Sequence, residues 1–177
     1  SRPAARSGGR FALPGRAELW LGALLLACWL PWYVCLYPGT VSNDSISQLK
    51  EIMGLVPMSN ANPVFQTWLL GAFRQLGLWL GSADAGVALY CVTQAALMAW
   101  LLGAVLDGIR RSAAPRWLVW TSFFFYALCP VFPVFAFCVG KDTNFAMAVL
   151  FLALMLKRIT DEPGRRGAAR YVGPVSY

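Results

Sequence analysis

The stretch LWLGALLLACWLPWYVCLYPGTVSN, residues 19–43, contains no formally charged side chain. A helix of about 20 apolar residues, rising 1.5 Å per residue, crosses a hydrocarbon core roughly 30 Å thick. Three further charge-poor blocks follow, at residues 85–106, 117–140 and 143–156. The sequence therefore predicts an all-α membrane protein.

The composition of the whole chain indicates the same class. Of its 177 residues, 58% are hydrophobic and only 13% are charged, whereas soluble domains carry about 25% charged residues. This balance excludes a disordered tail, a coiled coil and a typical cytosolic enzyme. The chain has no histidine, which removes the commonest neutral-pH acid–base group and the commonest transition-metal ligand.

The positive charge is concentrated in three parts of the sequence. Of the 15 lysines and arginines, 12 lie before the first block, between the second and third, or after the fourth. Cytoplasmic segments of membrane proteins are enriched in Lys and Arg, so we expect all three parts in the cytoplasm. That placement requires four transmembrane helices, near residues 18–37, 84–106, 116–134 and 143–158, although hydropathy alone is compatible with three to five.

A fifth apolar segment, residues 63–80, carries Arg74 in its middle. An arginine at the centre of a span costs roughly 2.5–3.5 kcal/mol on insertion scales. A crossing here would also move the basic residues 110–116 to the outer side. We therefore expect an amphipathic helix lying flat at the outer interface. It belongs to a long first external loop, about residues 38–83, that carries juxtamembrane amphipathic helices.

These placements divide the chain into three regions. Residues 1–17 are a basic cytoplasmic arm, residues 18–158 are the membrane domain, and residues 159–177 are a basic cytoplasmic tail. The arm is not expected to be a cleavable signal peptide, because the apolar stretch that follows is too long. Membrane lipids are expected partners. Nucleic acid is not, because the basic residues are spread over separate segments without a recognition motif.

Polar side chains cluster at three places on the expected outer side, residues 37–48, 59–63 and 140–144. Helix capping explains each cluster. Ser45 and Gln48 match an S-x-x-Q capping box. Asn62, which precedes a proline, is a helix-start signal. Asp142 or Thr143 is expected to cap the fourth span.

The same clusters also form a candidate binding site, provided that they converge in space. Three helix N-termini would then open on one face, each with unpaired N–H groups and the positive end of a helix dipole. Lys141 adds a full positive charge, which suits a phosphate or pyrophosphate whose lipid tail lies in the bilayer. Asp44 and Asp142 supply two carboxylates for a sugar or an acceptor hydroxyl, with Asp44 as a candidate general base.

Three segments resemble the start of the GT-C-type membrane glycosyltransferases. They read YPGTVSNDSISQL (residues 37–49), NPVFQTWLLGAF (residues 62–73) and GKDTNF (residues 140–145). The likeness is to uncharacterised multi-span bacterial proteins that are distantly similar to protein mannosyltransferases and aminoarabinose transferases. It covers about residues 18–158 and concerns only the N-terminal part of such enzymes, which have many more spans.

The resemblance implies a lipid-linked sugar donor, a polyprenyl phosphate, and transfer on the outer face of the bacterial cytoplasmic membrane by a multi-pass protein. It implies that Asp44 acts as base, that Lys141 steadies the departing phosphate, and that Asp142 positions substrate or contacts a divalent metal. No cofactor is certain. The other candidate substrate- and phosphate-binding residues are Asn62, Gln48, Ser45 and Thr143. Asn62 stands where relatives commonly carry histidine, so no proton-handling role is expected there.

Two functions from different classes remain open. The first is the N-terminal module of a glycosyltransferase, completed by further transmembrane segments or subunits. The second is a non-catalytic multi-span scaffold, or a protein that binds or transports a lipid-linked substrate. Transport predicts paired charges inside the spans. The polar residue found there is Gln94, which we expect to hydrogen-bond to a neighbouring helix.

Overall fold

The computed structural model describes residues 15–57, 63–112 and 114–161. In these ranges the chain forms seven α-helices and one two-stranded parallel bridge. The helices are α1 (Arg16–Leu36), α2 (Asn43–Ile52), α3 (Val64–Trp79), α4 (Ala83–Arg111), α5 (Arg116–Leu128), α6 (Val131–Ala136) and α7 (Lys141–Asp161), and the strands are β1 (Thr40–Val41) and β2 (Cys138–Val139). Three of the described helices, α1, α4 and α7, are long and apolar enough to cross a membrane. The expected helical architecture is therefore present.

The bundle is built on an antiparallel pair, α1 and α4. Gly22 of α1 lies against the backbone of Ala99, and Gly103 of α4 lies against the carbonyl oxygen of Glu18. A Cβ atom on Gly103 would overlap with that oxygen. Small residues are what allow two helix backbones to approach this closely, so the glycines set the spacing of α1 and α4.

The hydrophobic core lies between α1, α4 and α5. Trp29 of α1 is fully buried, and its indole N–H donates to the carbonyl oxygen of Tyr126 at 3.2 Å. On the facing side, α4 contributes the small buried residues Ala95 and Ala99. The hydrogen bond satisfies the one polar atom of a buried tryptophan, and it fixes α5 against α1.

Helix α3 packs as an antiparallel hairpin with the first turns of α4. Gly77 lies on Gly86, and the rings of Phe73 and Tyr90 meet edge to face with centroids 5.5 Å apart. The face of α3 turned toward the protein is partly polar, with Gln66 buried. Large apolar side chains, Phe65, Trp68 and Trp79, are exposed on its other side. The amphipathic pattern of α3 is therefore oriented with its aromatic face outward.

The third predicted span is interrupted. Helix α5 ends at Leu128, and α6 begins only at Val131. Proline lacks a backbone N–H and clashes with the preceding turn of a helix, which explains the break around Pro130. With 13 residues, α5 is about 20 Å long and shorter than the hydrocarbon core.

The observed helix starts correct two of the capping expectations. Ser42, not Ser45, caps α2, because the Ser42 hydroxyl accepts the backbone N–H of Ser45 at 3.3 Å. Helix α7 begins one residue before Asp142, so Asp142 and Thr143 lie in its first turn. An acidic residue in a first turn is favourable without capping, because it faces the positive end of the helix dipole.

The two ends of the bundle differ in the elements that they bring together. The bridge end carries β1, β2, the start of α2 and the start of α7. The basic end carries the start of α1, the end of α4, the start of α5 and the end of α7, with Arg110, Arg116 and Arg158. Helix α7 runs from the bridge end to the basic end, where Arg158 pairs with Glu18 at 2.8 Å.

Candidate functional site at the bridge end

The site is organised by the parallel bridge between β1 and β2. Thr40 pairs with Cys138 and Val41 pairs with Val139. The backbone N–H of Thr40 also donates to the carbonyl oxygen of Phe137 at 3.0 Å, across 97 residues of sequence. Helices α2 and α7 each begin two residues after their strand. The bridge therefore places two of the three polar clusters side by side.

Gln94 of α4 holds the second strand in position. Its side-chain amide donates to the carbonyl oxygens of Phe135, Ala136 and Cys138 at 3.1, 3.0 and 2.8 Å. The carbonyl groups at the end of a short helix have no partner within the helix, and Gln94 satisfies them. The expectation that Gln94 bonds to a neighbouring segment is confirmed, and that segment leads directly into the site.

Asp44 and Lys141 form an ion pair between the starts of α2 and α7. The Nζ atom of Lys141 lies 2.9 Å from Oδ2 of Asp44. A carboxylate is favourable at a helix N-terminus and an ammonium group is not, so Asp44 offsets the poor placement of Lys141. The two side chains are 58% and 30% exposed, respectively. Exposed ion pairs contribute little to stability, and this one is open to competition from a ligand.

Ser45 and Thr143 are buried and bind backbone rather than facing outward. The Ser45 hydroxyl donates to the carbonyl oxygen of Val139 and lies 2.9 Å from the Ser42 hydroxyl. The Thr143 hydroxyl donates to the carbonyl oxygen of Phe135 at 3.4 Å. These two candidates therefore fix α2 and α7 to the segment around β2.

Gln48 is the candidate with an unused polar group. It lies one turn after Ser45 on α2, is 1% exposed, and its Nε2 has no hydrogen-bond partner among the described residues. A buried donor without a partner costs free energy, so this amide is suited to a ligand or a water molecule. Asp142, next to Lys141 in sequence, has an exposed side chain.

The third predicted cluster is described only at its end. Asn62 lies outside the described residues, so its position relative to Asp44 and Lys141 stays a prediction. Helix α3 begins at Val64, with Pro63 rather than Asn62 as its N-cap residue. The expected helix is present, and its described start is shifted by one residue.

A further polar cluster joins Asn144, which lies in the predicted cluster at residues 140–144, to Gln66 and Tyr90, which the sequence analysis did not single out. The Gln66 amide donates to the Tyr90 hydroxyl at 2.8 Å, and the Asn144 amide donates to Gln66 Oε1 and to the Tyr90 hydroxyl, both at 2.6 Å. The cluster joins α3, α4 and α7 one turn after Lys141. The available signal was an uncharged amide within an apolar helix, the same signal that singled out Gln94.

The described residues at the bridge end form no preformed metal site. In the described ranges no three His, Cys, Asp or Glu side chains come together. Near α2 and α7 the oxygen donors are Asp44 and Asp142, and the first of these is already bound to the ammonium group of Lys141. Calcium sites use six to eight oxygen ligands, more than two carboxylates supply, and the ammonium group of Lys141 beside Asp44 opposes binding of a cation there.

Comparison with known proteins yields one family. Residues 55–170 match the sequence profile of DUF6020, a family of unknown function. The match covers more than half of the chain, so the chain belongs to DUF6020. No curated protein and no solved structure matches it.

Proposed function

We propose that this DUF6020 member is a glycosyltransferase-like membrane protein, in which the bridge end binds the phosphate of a polyprenyl-phosphate sugar donor and Asp44 accepts the proton of the acceptor hydroxyl. The observation that carries the proposal is the exposed ion pair of Asp44 and Lys141. This pair joins two of the three segments that carry the resemblance to GT-C enzymes, although the segments are far apart in the sequence. A reaction that moves a proton and releases an anion needs a base and a positive charge close together. Asp44 and Lys141 supply these two groups at the starts of α2 and α7.

Donor binding is proposed to open the ion pair. The phosphate competes with Asp44 for the ammonium group of Lys141, and backbone N–H groups at the starts of α2 and α7 add favourable partners for an anion. Once Lys141 binds the phosphate, the Asp44 carboxylate is released. The same event therefore secures the leaving group and frees the base.

In the transfer step, the acceptor oxygen forms a bond to the anomeric carbon of the sugar. The bond from that carbon to the phosphate oxygen breaks, and its electron pair leaves with the polyprenyl phosphate. The acceptor proton passes to Asp44. Lys141 balances the negative charge that develops on the phosphate. Asp142, exposed beside Lys141, is placed to position a sugar hydroxyl.

The central test is sugar transfer by Asp44→Asn, measured in membranes with a polyprenyl-phosphate donor. Loss of a general base lowers a rate by about 10²–10⁴-fold, so we expect a drop of that size, with donor binding retained. Asp142→Asn is expected to have a smaller effect. Asp84→Asn is the matched control, because Asp84 is also an exposed acid in the first turn of a helix. Unchanged turnover in both Asp44→Asn and Asp142→Asn would end the catalytic proposal.

A second function is the binding of a lipid-linked donor without catalysis. It is favoured by the Nε2 of Gln48, which has no hydrogen-bond partner among the described residues. This amide can donate to a ligand but takes no part in a chemical step. Donor retention and sugar transfer, measured together on the unaltered chain, separate the two functions. Both functions predict weaker retention in Lys141→Gln and stronger retention in Asp44→Asn, because the competing carboxylate is gone. Retention without any transfer by the unaltered chain would select the binding protein.

The proposed topology has four crossings of the bacterial cytoplasmic membrane, with the bridge end outside. Helices α1, α4 and α7 make three of them, and α5 together with α6 makes the fourth. This arrangement puts the basic end in the cytoplasm, as the distribution of arginines requires. The exposed aromatic face of α3 then contacts lipid near the outer interface, where Trp side chains are favoured.

Single cysteines test this topology. Ser47 and Ser112 are exposed near opposite ends of the bundle, and Ser→Cys is a nearly isosteric change. In a background without the five native cysteines, a membrane-impermeant maleimide should label Ser47→Cys on intact cells. Ser112→Cys should react only after permeabilisation. Labelling of both positions from the same side would contradict the four-span arrangement.

The proposed partners are lipids and further transmembrane segments or subunits. Helix α7 exposes large apolar side chains, among them Phe145, Leu152 and Leu156. Such a face requires a lipid or protein partner. In GT-C-like enzymes additional spans would complete the donor groove, so we propose that α7 borders this groove.

A further inference from the structure

We infer that the basic end contains a binding site for an anionic phospholipid, in a groove between the start of α1, the end of α4 and the start of α5. The groove has a volume of about 420 Å³. Arg110 and Arg116 line it together with the apolar side chains of Leu21, Val119, Trp120 and Phe123. It is at the opposite end of the bundle from Asp44 and Lys141, and the inference does not depend on the proposed transferase activity.

The groove is polar at one end and apolar along its length. Arg116 is the first residue of α5, and Phe123 lies seven residues later, about 10 Å along the helix axis. Leu21 of α1 closes the groove from the other side. A phospholipid has the same order of groups, with a charged phosphate at the membrane surface and acyl chains below it. The phosphate would meet the arginines, and one acyl chain would follow the apolar wall.

The charge balance at the groove selects an anion. Asp107 is 1% exposed and accepts hydrogen bonds from both Arg110, at 2.7 Å, and Arg111, at 2.5 Å. One carboxylate therefore serves two arginines, and Arg116 adds a third positive charge at the mouth of the groove. The Arg110 side chain remains 55% exposed, so its guanidinium group can still reach a ligand. Guanidinium groups bind phosphate through paired N–H donors.

The choice between lipid headgroups follows from the same charges. A phosphatidylcholine headgroup carries a quaternary ammonium group, which the two arginines that line the groove, Arg110 and Arg116, repel. Phosphatidylglycerol carries only the negative phosphate. The site is therefore specific for lipids with a net negative charge, and the apolar wall distinguishes a lipid from a free phosphate.

Native mass spectrometry of the 177-residue chain in detergent tests the site, with dioleoylphosphatidylglycerol and dioleoylphosphatidylcholine as the two probes. We expect the chain to retain phosphatidylglycerol selectively. Arg116→Gln should lower this affinity by about fivefold, the effect of one basic residue near an anionic lipid. Val119→Trp, which fills the groove, should also lower it. Lys157→Gln is the matched control, because Lys157 is at the same end of the bundle near Gly108 but outside the groove.

Three results would overturn the inference. Equal losses in Arg116→Gln and Lys157→Gln would indicate diffuse attraction to a basic surface. Equal retention of the two lipids would remove the role of the arginines. Displacement of phosphatidylglycerol by an equal concentration of soluble sn-glycerol 3-phosphate would point to a phosphate site without a lipid wall. If Val119→Trp does not fold, the comparison of Arg116→Gln with Lys157→Gln decides the matter alone.

Discussion

Both ends of the bundle pair acidic with basic residues, but the carboxylates are buried at the basic end and exposed at the bridge end. At the basic end, the carboxylates of Asp107 and Glu18 are 1% and 10% exposed. At the bridge end, Asp44 is 58% exposed. A buried charge must keep its partner, because an unpaired one is strongly unfavourable. An exposed pair can exchange partners at little cost, so a ligand can open the pair at the bridge end more easily than those at the basic end.

The ion pairs of the bundle also differ in how far apart their members are in sequence, and this difference does not follow the two ends. Arg110 and Arg111 follow Asp107 by three and four residues on the same helix, which is the spacing of neighbours on a helix surface. Asp44 and Lys141 at the bridge end, and Glu18 and Arg158 at the basic end, each join two different helices. A pair within one helix stabilises only the end of that helix. A pair between two helices forms only when those helices have packed together.

The largest expected effect is on packing between α1 and α4, toward the basic end. In Gly103→Ala the new Cβ meets the Glu18 carbonyl oxygen and the backbone nitrogen of Gly22, which cannot move aside as a flexible side chain would. We expect a loss of about 3 kcal/mol, measured as thermal unfolding in detergent. Gly140→Ala at the bridge end is the control, because its new Cβ would meet no atom of the described residues within 4 Å. Equal losses would show that the close approach does not hold the bundle.

A matched pair of acid-to-amide changes compares the two ends directly. Asp107→Asn removes charged hydrogen bonds from a buried side chain and should cost about 2 kcal/mol of stability. Asp44→Asn removes an exposed ion pair and should cost less than about 1 kcal/mol. The rate of sugar transfer should fall more in Asp44→Asn than in Asp107→Asn. A larger stability loss in Asp44→Asn would mean that the bridge end is structural and would remove the contrast between the ends.

A smaller effect is expected in the polar cluster of Gln66, Tyr90 and Asn144. Tyr90→Phe deletes the hydroxyl that receives both amides and should cost about 1 kcal/mol. Tyr37→Phe, an exposed tyrosine at the end of α1, serves as control and should be neutral. No difference between the two in thermal unfolding would show that the cluster contributes nothing to the stability of the bridge end.

The fold class could be predicted because the length of a segment without charged residues can be read directly from the sequence. Helices α1, α4 and α7 lie where the first, second and fourth apolar blocks predicted them. The third block was harder. Its composition is apolar throughout, but Pro130 divides it into α5 and α6, and how a proline-broken segment is placed depends on its packing.

The site could be predicted only in part. The motifs containing Asp44 and Lys141 stood out by their polar residues, yet no local rule states that two motifs 97 residues apart will pair. The orientation of α3 was also beyond a local rule, because an amphipathic pattern defines two faces without saying which one meets protein. Gln66 was therefore overlooked, although it contacts α4 and α7.

The two-residue bridge has a consequence for how the protein is made. Thr40 and Val41 leave the ribosome long before Cys138 and Val139 are synthesised, so the first strand waits without its partner while helices α2 to α6 are made. Until then the hydroxyl of Ser45 and the amide groups of β1 need water around them. Nascent chains halted before β2 would therefore hold a half-built site, which becomes complete only when β2 and the first turn of α7 have been synthesised.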